Sequence, residues 1–289
     1  MARRPLRSYD AESRSDPDFP WLDLGEFFRF PDPEDACGTV VAVGGNLSPG
    51  MLVSAYAQGI FPWFNDDDPL YWQSPDPRFV ILPGSFRVPS RLARAMRKKP
   101  FDIRVDTSFE RVISYCSLVA RDGQDGTWIT DDMLEAYVGL HREGIAHSVE
   151  AWRDGDLVGG FYGLLIGGVF FGESMFTRAS DAAKVAFAAF APYFFREMGG
   201  RLIDSQVYTD HIARFGGVNV SRDAYLRMLD RALSGQPADR EQPGRDACQS
   251  CGVEGRLESV ARALGTNRAL WRSDLLTRLS RPAIDSAAR

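Results

Sequence analysis

The sequence predicts an α+β fold: a mixed sheet flanked by helices, with a smaller α/β domain on its N-terminal side. Three observations carry this expectation. Residues 148–178 hold three apolar, strand-like runs separated by Asp154 and Gly155 and by Gly167 and Gly168, types that tolerate positive φ, so the stretch reads as a β-meander. A strongly apolar helical segment, 182–198, comes next and is stopped by Gly199 and Gly200. A further short strand, 202–207, comes directly after that helix.

Residues 1–35 are expected to be disordered or loosely docked, polar and Pro-containing at first, with Phe27, Phe28 and Phe30 seated on the first folded domain. A small domain is expected over 36–85. In it, Ser48 and Pro49 open a helix that runs to about Gln58 and ends at Gly59. Residues 59–81 gather Phe61, Trp63, Phe64, Tyr71 and Trp72 in a Pro-rich stretch. Two readings stand there: an aromatic cluster pinning an irregular segment, or a rim of aromatic platforms around a pocket.

The larger domain is expected over 86–234. Its first helix, 87–99, sets Arg91, Arg94 and Lys98 on one face, with Arg97 and Lys99 beside them. In a chain of net charge −5 this is the concentrated basic patch, either a solvated face or a phosphate contact. A strand at 101–105, a helix at 109–120 and a helix at 131–143 capped by Thr130 or Asp131 lead into the meander. Ser180 and Asp181 are the expected cap of the apolar helix. After the strand at 202–207 come a short helix from Thr209, a strand near 218–220 and a helix at 222–233. From Ser234 the composition turns to Gly, Pro, Gln, Asp and Arg, so 235–289 reads as a linker and helical C-terminal tail outside the chemistry.

Several function classes are disfavoured. No run of eighteen apolar residues exists to span a membrane, and the basic N-terminus lacks the apolar segment of a secretory signal. Cys37, Cys116, Cys248 and Cys251 are not framework-spaced, which suits a reducing cytosol and a cytoplasmic protein. Cys248 and Cys251 make half of a zinc-ribbon signature with no second half, and His141, His147 and His211 lack ligand spacing, so no metal is expected.

The order of elements matches an acetyltransferase-like (GNAT-type) fold, in which a Gly-rich loop before the helix normally cradles a coenzyme pyrophosphate. Here residues 175–181 contain no glycine and include Asp181, so no coenzyme or other cofactor is expected. Chemistry is sought instead at two acids. Glu173 lies among Phe170, Phe171, Met175 and Phe176 and needs a partner or water. Strand alternation puts Asp204 and Gln206 on one face, next to Glu173 if the strands pair. Asp204 either holds a backbone turn or belongs to a pocket for a cationic amine.

The motifs GIFPWF (59–64), WQSPDPR (72–78), GTWIT (126–130), LVGGFYG (157–163), FFGESMF (170–176) and LIDSQV (202–207), with HS-E-W over 147–152 and the DH at 210–211, resemble those of the leucyl/phenylalanyl-tRNA–protein transferases in order and spacing, over about 36–233. The resemblance implies transfer of Leu or Phe, with Met as a further donor, from aminoacyl-tRNA to proteins with N-terminal Arg or Lys, marking them for N-degron-dependent degradation. It implies a monomer with no membrane partner. It implies Asp204 and Gln206 as the catalytic pair, with Glu173 helping to hold the acceptor. The donor side-chain pocket would comprise Trp63, Trp128, Phe161, Phe170 and Phe195, with Tyr56 and Tyr137 nearby, and the tRNA would meet Arg91, Arg94, Arg97, Lys98 and Lys99. Phe161 departs from the family's Met, which bears on the Leu against Phe preference, and Thr209 from its Asn, which bears on a hydrogen bond to the acceptor. Two rivals are a small-molecule acetyltransferase and a non-enzymatic adaptor that binds basic N-termini.

Overall fold

Positive φ at Asp154, Gly155 and Gly167 closes the two hairpins that the sequence predicts. The structure, a computed structural model, describes residues 19–65, 68–119, 129–235 and 253–272. In chain order the strands are β1 (Val40–Val43), β2 (Phe61–Pro62), β3 (Tyr71–Gln73), β4 (Arg78–Ile81), β5 (Asp102–Val105), β6 (Ala146–Arg153), β7 (Asp156–Ile166), β8 (Val169–Thr177), β9 (Leu202–Asp204) and β10 (Val218–Val220). The helices are α1 (Pro49–Ala57), α2 (Ser90–Met96), α3 (Phe109–Ser117), α4 (Asp131–Arg142), α5 (Ala182–Arg196), α6 (Asp210–Ala213), α7 (Arg222–Leu233) and α8 (Val253–Arg272).

A small sheet runs β1-β3-β2, and a seven-stranded mixed sheet runs β10-β4-β9-β8-β7-β6-β5. Only β8 and β9 pair in parallel in the larger sheet; its other pairs are antiparallel. The long strand β7 shows how alternation divides the core: Tyr162, Leu164 and Ile166 join the cluster under α1, α3, α4 and α7, while Phe161 and Leu165 join the cluster under α5. The sheet is thus covered on both faces.

The glycines of β7 make room for the protein itself. A Cβ at Gly159 would stand 2.5 Å from that of Ala182, and one at Gly163 would stand 2.2 Å from the Phe171 carbonyl. Residues 78–81, which the expected division at 85 assigns to the N-terminal domain, are β4 of the larger sheet, between β9 and β10. The segment 19–30 is firmly docked: the amides of Leu22, Phe28 and Phe30 donate to Ser48 Oγ, Ser54 Oγ and Gln58 Oε1 at 3.1, 2.8 and 3.1 Å. Ser48, at the N-cap of α1, is therefore occupied by the incoming chain and does not cap the helix. Thr130 does cap α4, accepting from Met133 N at 3.2 Å. Asp181 stands at the N-cap of α5 with φ +63° and makes no side-chain cap bond, because its carboxylate meets Lys184 Nζ at 3.2 Å. The C-terminal helix is packed on the body, with Val260 fully buried and Arg256 3.2 Å from Asp230 of α7. Among the described residues no helix is long and apolar enough to cross a membrane.

Candidate active site

β8 and β9 are in register only from Val169 with Leu202 to Phe171 with Asp204. β9 then stops while β8 continues to Thr177, and a cleft of about 930 Å³ opens where the two part. On the β7 side, Tyr162 pairs with Ser174 and Gly163 with Gly172, which leaves Glu173 as the extra residue of a β-bulge. A bulge re-aims a side chain. Here it directs an acid into the cleft wall.

Three groups receive the Glu173 carboxyl. Tyr56 Oη donates at 2.7 Å and Gln206 Nε2 at 3.0 Å to one oxygen, and Tyr137 Oη donates at 3.4 Å to the other. The two tyrosine hydroxyls also meet each other, so the single Tyr137 proton is shared between Tyr56 Oη and Glu173. Glu173 borders solvent through the cleft, yet the aromatic surround leaves its carboxyl little water. That desolvation, aided by nearby Asp204 and opposed by the tyrosine hydrogen bonds, lifts its pKa to about 8. Burial, and then the neighbouring Glu173, push the phenols of Tyr56 and Tyr137 well above their usual value, so both remain donors.

Asp204 is placed quite differently. It is fully buried and does not line the cleft. Arg78 grips it with Nε at 2.9 Å and Nη2 at 2.7 Å, Tyr225 Oη donates at 2.7 Å, and the backbone amide of Gln206 donates at 2.8 Å. The Arg78 guanidinium lies between the rings of Phe61 and Tyr225, at 4.7 and 4.5 Å, and donates to the Gly59 carbonyl. This is a closed, fully paired ion pair.

Gln206 connects the two acids. Its φ is +62°, a left-handed conformation that costs a non-glycine residue on the order of 1 kcal/mol or more. Simple alternation would point the Gln206 side chain toward Asp204. The positive φ instead turns its backbone amide to Asp204 and its side-chain amide to Glu173. The turn is fixed by β4, since Ser205 N and Phe79 N bond across it at 2.9 and 3.0 Å.

The apolar cleft wall includes Phe161, Phe170, Phe187 and Ile203, with Trp63 at the Phe61 end. Phe161 meets Phe170, Phe187 and Phe190 edge-on at 5.5–6.0 Å between centroids. Phe195, expected in this wall, faces away and packs on Phe86 and Phe194. Phe187 takes its place, because eight residues at 100° each leave Phe195 about a quarter-turn off the face that Phe187 presents. Tyr56 and Tyr137 sit behind Glu173, outside the lining. Thr209 lines the cleft while its hydroxyl caps α6, accepting from Ile212 N at 3.4 Å. Trp128, Cys248 and Cys251 lie outside the described residues.

The basic helix α2 is shorter than expected, ending at Met96, with Arg97 as its cap and Lys99 at φ +46°. Arg91, Arg94 and Lys98 line a second cavity of about 350 Å³, which Arg153 completes and whose wall shares Asp181 with the main cleft. Sequence reasoning missed Arg78 and Tyr225. The available signal for Arg78 was a lone arginine heading the apolar run of β4; Tyr225 had none, since it sits on an ordinary amphipathic helix.

With this geometry in hand, comparison with known proteins gives a consistent result. Residues 80–230 match the family model for leucyl/phenylalanyl-tRNA protein transferase, and residues 45–76 match that for its N-terminal domain. The chain is 54% identical over 208 residues to the leucyl/phenylalanyl-tRNA–protein transferase of Myxococcus xanthus, covering 72% of this chain and 88% of that protein. It is 49% identical over 216 residues to the transferase of the same name from Oleidesulfovibrio alaskensis, covering 73% and 87%. It is 49% identical over 212 residues to that of Anaeromyxobacter sp. strain K, covering 73% and 90%.

Proposed function

Because this chain belongs to the leucyl/phenylalanyl-tRNA–protein transferase family, and is thus an aminoacyltransferase, we propose that it moves Leu or Phe from aminoacyl-tRNA to the N-terminal α-amine of proteins beginning with Arg or Lys. On this reading it acts in the cytoplasm and marks its products for N-degron-dependent degradation. The observation that carries the proposal is the meeting of Glu173 and Gln206 on the wall of an aromatic cleft. We infer also that the larger unit is acetyltransferase-like, a reading supported by the meander and by a parallel strand pair that diverges at the site.

The division of labour stems from the environments. The donor side chain enters among Phe161, Phe170, Phe187 and Ile203, where burying a Leu or Phe contributes about 1.5–3 kcal/mol. The ester is already activated, so holding it against the amine supplies much of the rate, on the order of 7–11 kcal/mol. The amine nitrogen attacks the ester carbonyl, the carbon–oxygen bond to the ribose breaks, and a proton leaves the amine and is passed on to the departing ribose oxygen. Glu173 is suited to receive that proton from the amine, because its pKa of about 8 matches an α-amine near 8. Gln206 holds the Glu173 carboxyl in place and offers an amide to the reacting centre. Asp204, closed off by Arg78 and Tyr225, is a positioning residue that fixes the Gln206 turn.

Transfer of radiolabelled Phe from charged tRNA to an Arg-initiated peptide tests the proposal, with an Ala-initiated peptide as comparison. Label on the Arg peptide alone is the expected result. Peptide binding without transfer would favour the adaptor, and micromolar acetyl-CoA binding in calorimetry the small-molecule acetyltransferase.

A further inference from the structure

The basic helix α2 lies on the α5 side of the sheet. A second concentration of cationic side chains lies on the opposite side, where α3 meets the end of β8. Arg178, the residue after β8, places its guanidinium 5.1 Å over the Tyr115 ring and donates to Tyr115 Oη at 3.2 Å. Arg111, one turn earlier on α3, approaches the same ring at 5.9 Å and the Trp152 ring at 5.3 Å. Both arginines are exposed, and among the described residues neither has a carboxylate partner. The acids nearest to them in sequence are engaged elsewhere, Glu110 by Arg142 at 3.2 Å and Asp181 by Lys184 at 3.2 Å.

This cluster is continuous with the cleft. Tyr115 packs at 5.0 Å on Phe176, and Phe176, Thr177 and Val119 all line the cleft wall. Leu118, beside them, is 79% exposed. The grouping is therefore a rim of two guanidiniums without a carboxylate partner among the described residues, a phenol that both touch, and apolar surface leading into the site. Arg111 above all, with Arg178, lowers the Tyr115 phenol, which marks a locally positive field in a chain whose net charge is −5.

We propose that Arg111, Tyr115 and Arg178 form a phosphate-binding rim that holds the backbone of the single-stranded 3′ end of the donor tRNA as it enters the cleft. The inference rests on the transferase reading above. Its physical basis is charge and place: an RNA strand ending in the aminoacyl ester must cross the cleft mouth just before the terminal nucleotide. Exposed guanidiniums beside aromatic rings suit a single strand, whose phosphates they neutralise and whose bases find π-faces and apolar surface close by. Arginine's planar fork favours phosphate oxygens over a point contact.

The test is tRNA affinity across a salt series, by fluorescence anisotropy, for the wild-type chain and the Arg111→Gln/Arg178→Gln double variant. Each protein is run against intact tRNA and against tRNA trimmed of its single-stranded 3′ nucleotides. The rim predicts roughly tenfold weaker binding of intact tRNA by the variant, and a salt slope smaller by about 1.4 for two single-strand phosphates. With trimmed tRNA the variant loses less than twofold. The Arg111→Lys/Arg178→Lys variant recovers most of the slope, which a merely structural role would not require. Equal losses on intact and trimmed tRNA, or no loss on either, overturn the proposal. So does an effect confined to the KM of acceptor peptides bearing acidic residues, which would assign the rim to the peptide. Failure of the wild-type chain itself to bind tRNA would defeat the transferase reading, and the rim with it.

Discussion

Asp204 and Glu173 both bond to Gln206, one through its backbone amide and the other through its side chain, yet their surroundings divide them. Asp204 has a full cationic partner, is sealed from the cleft and has each carboxylate oxygen satisfied by Arg78, Tyr225 or the Gln206 amide. Glu173 has only neutral donors, two phenols and an amide, and keeps one edge toward the cleft. A buried acid with a matched cation is a structural fixture, whereas one held only by neutral dipoles retains a proton that can be exchanged near neutrality. Compensation, more than proximity to the cleft, decides which acid frames the site and which faces the substrate.

The strongest way to break this contrast is to remove the cation. Arg78→Met should leave Asp204 buried and unpaired, costing about 3–5 kcal/mol and lowering the melting temperature by roughly 10 °C. A thermal melt that barely moves would show that Asp204 does not depend on Arg78.

The next test uses pH. Glu173 binds its proton more tightly folded, at about 8, than at the ordinary 4.5 of an unfolded chain. The stabilising contribution of its neutral form is therefore complete below about pH 4.5 and is lost as the pH rises through about 8. The melting temperature should fall by several degrees across that window, and Glu173→Gln should flatten the fall. An unchanged slope in the variant would assign the pH dependence elsewhere.

A finer change sharpens the same point. The Tyr56 hydroxyl holds the Glu173 pKa down, so Tyr56→Phe should raise it further. The rise of kcat/KM with pH then shifts upward by a fraction of a unit to about one unit, with turnover at neutral pH reduced by about tenfold or less. The smallest effect is expected on α2, where Arg94→Ala should weaken tRNA binding by a few-fold and reduce its salt slope by about one phosphate contact, leaving the acids untouched.

Much of this was legible in the sequence. The meander, its glycine and Asp-Gly turns, the apolar α5 and the capping Thr130 all arise from local chemistry, and so does the need of Glu173 for partners. The features that were not legible come from long-range pairing. The bulge that frees Glu173 is set by register between β7 and β8, and the reversal of Gln206 by β4, a strand more than a hundred residues earlier. Likewise Arg78 and Tyr225 reach Asp204 from 126 and 21 residues away, distances at which no periodicity carries information. The exchange of Phe195 for Phe187 is a matter of helix phase, which in a segment apolar on most faces the sequence leaves open.

The contrast comes down to one variant. Transfer of labelled Phe from charged tRNA to an Arg-initiated peptide should fall by about two to four orders of magnitude in Glu173→Gln, while its melting temperature at pH 8 stays at or above that of the wild type. Transfer within threefold of wild type, in a protein that melts normally, would contradict the assignment of Glu173 as the acid that serves the substrate.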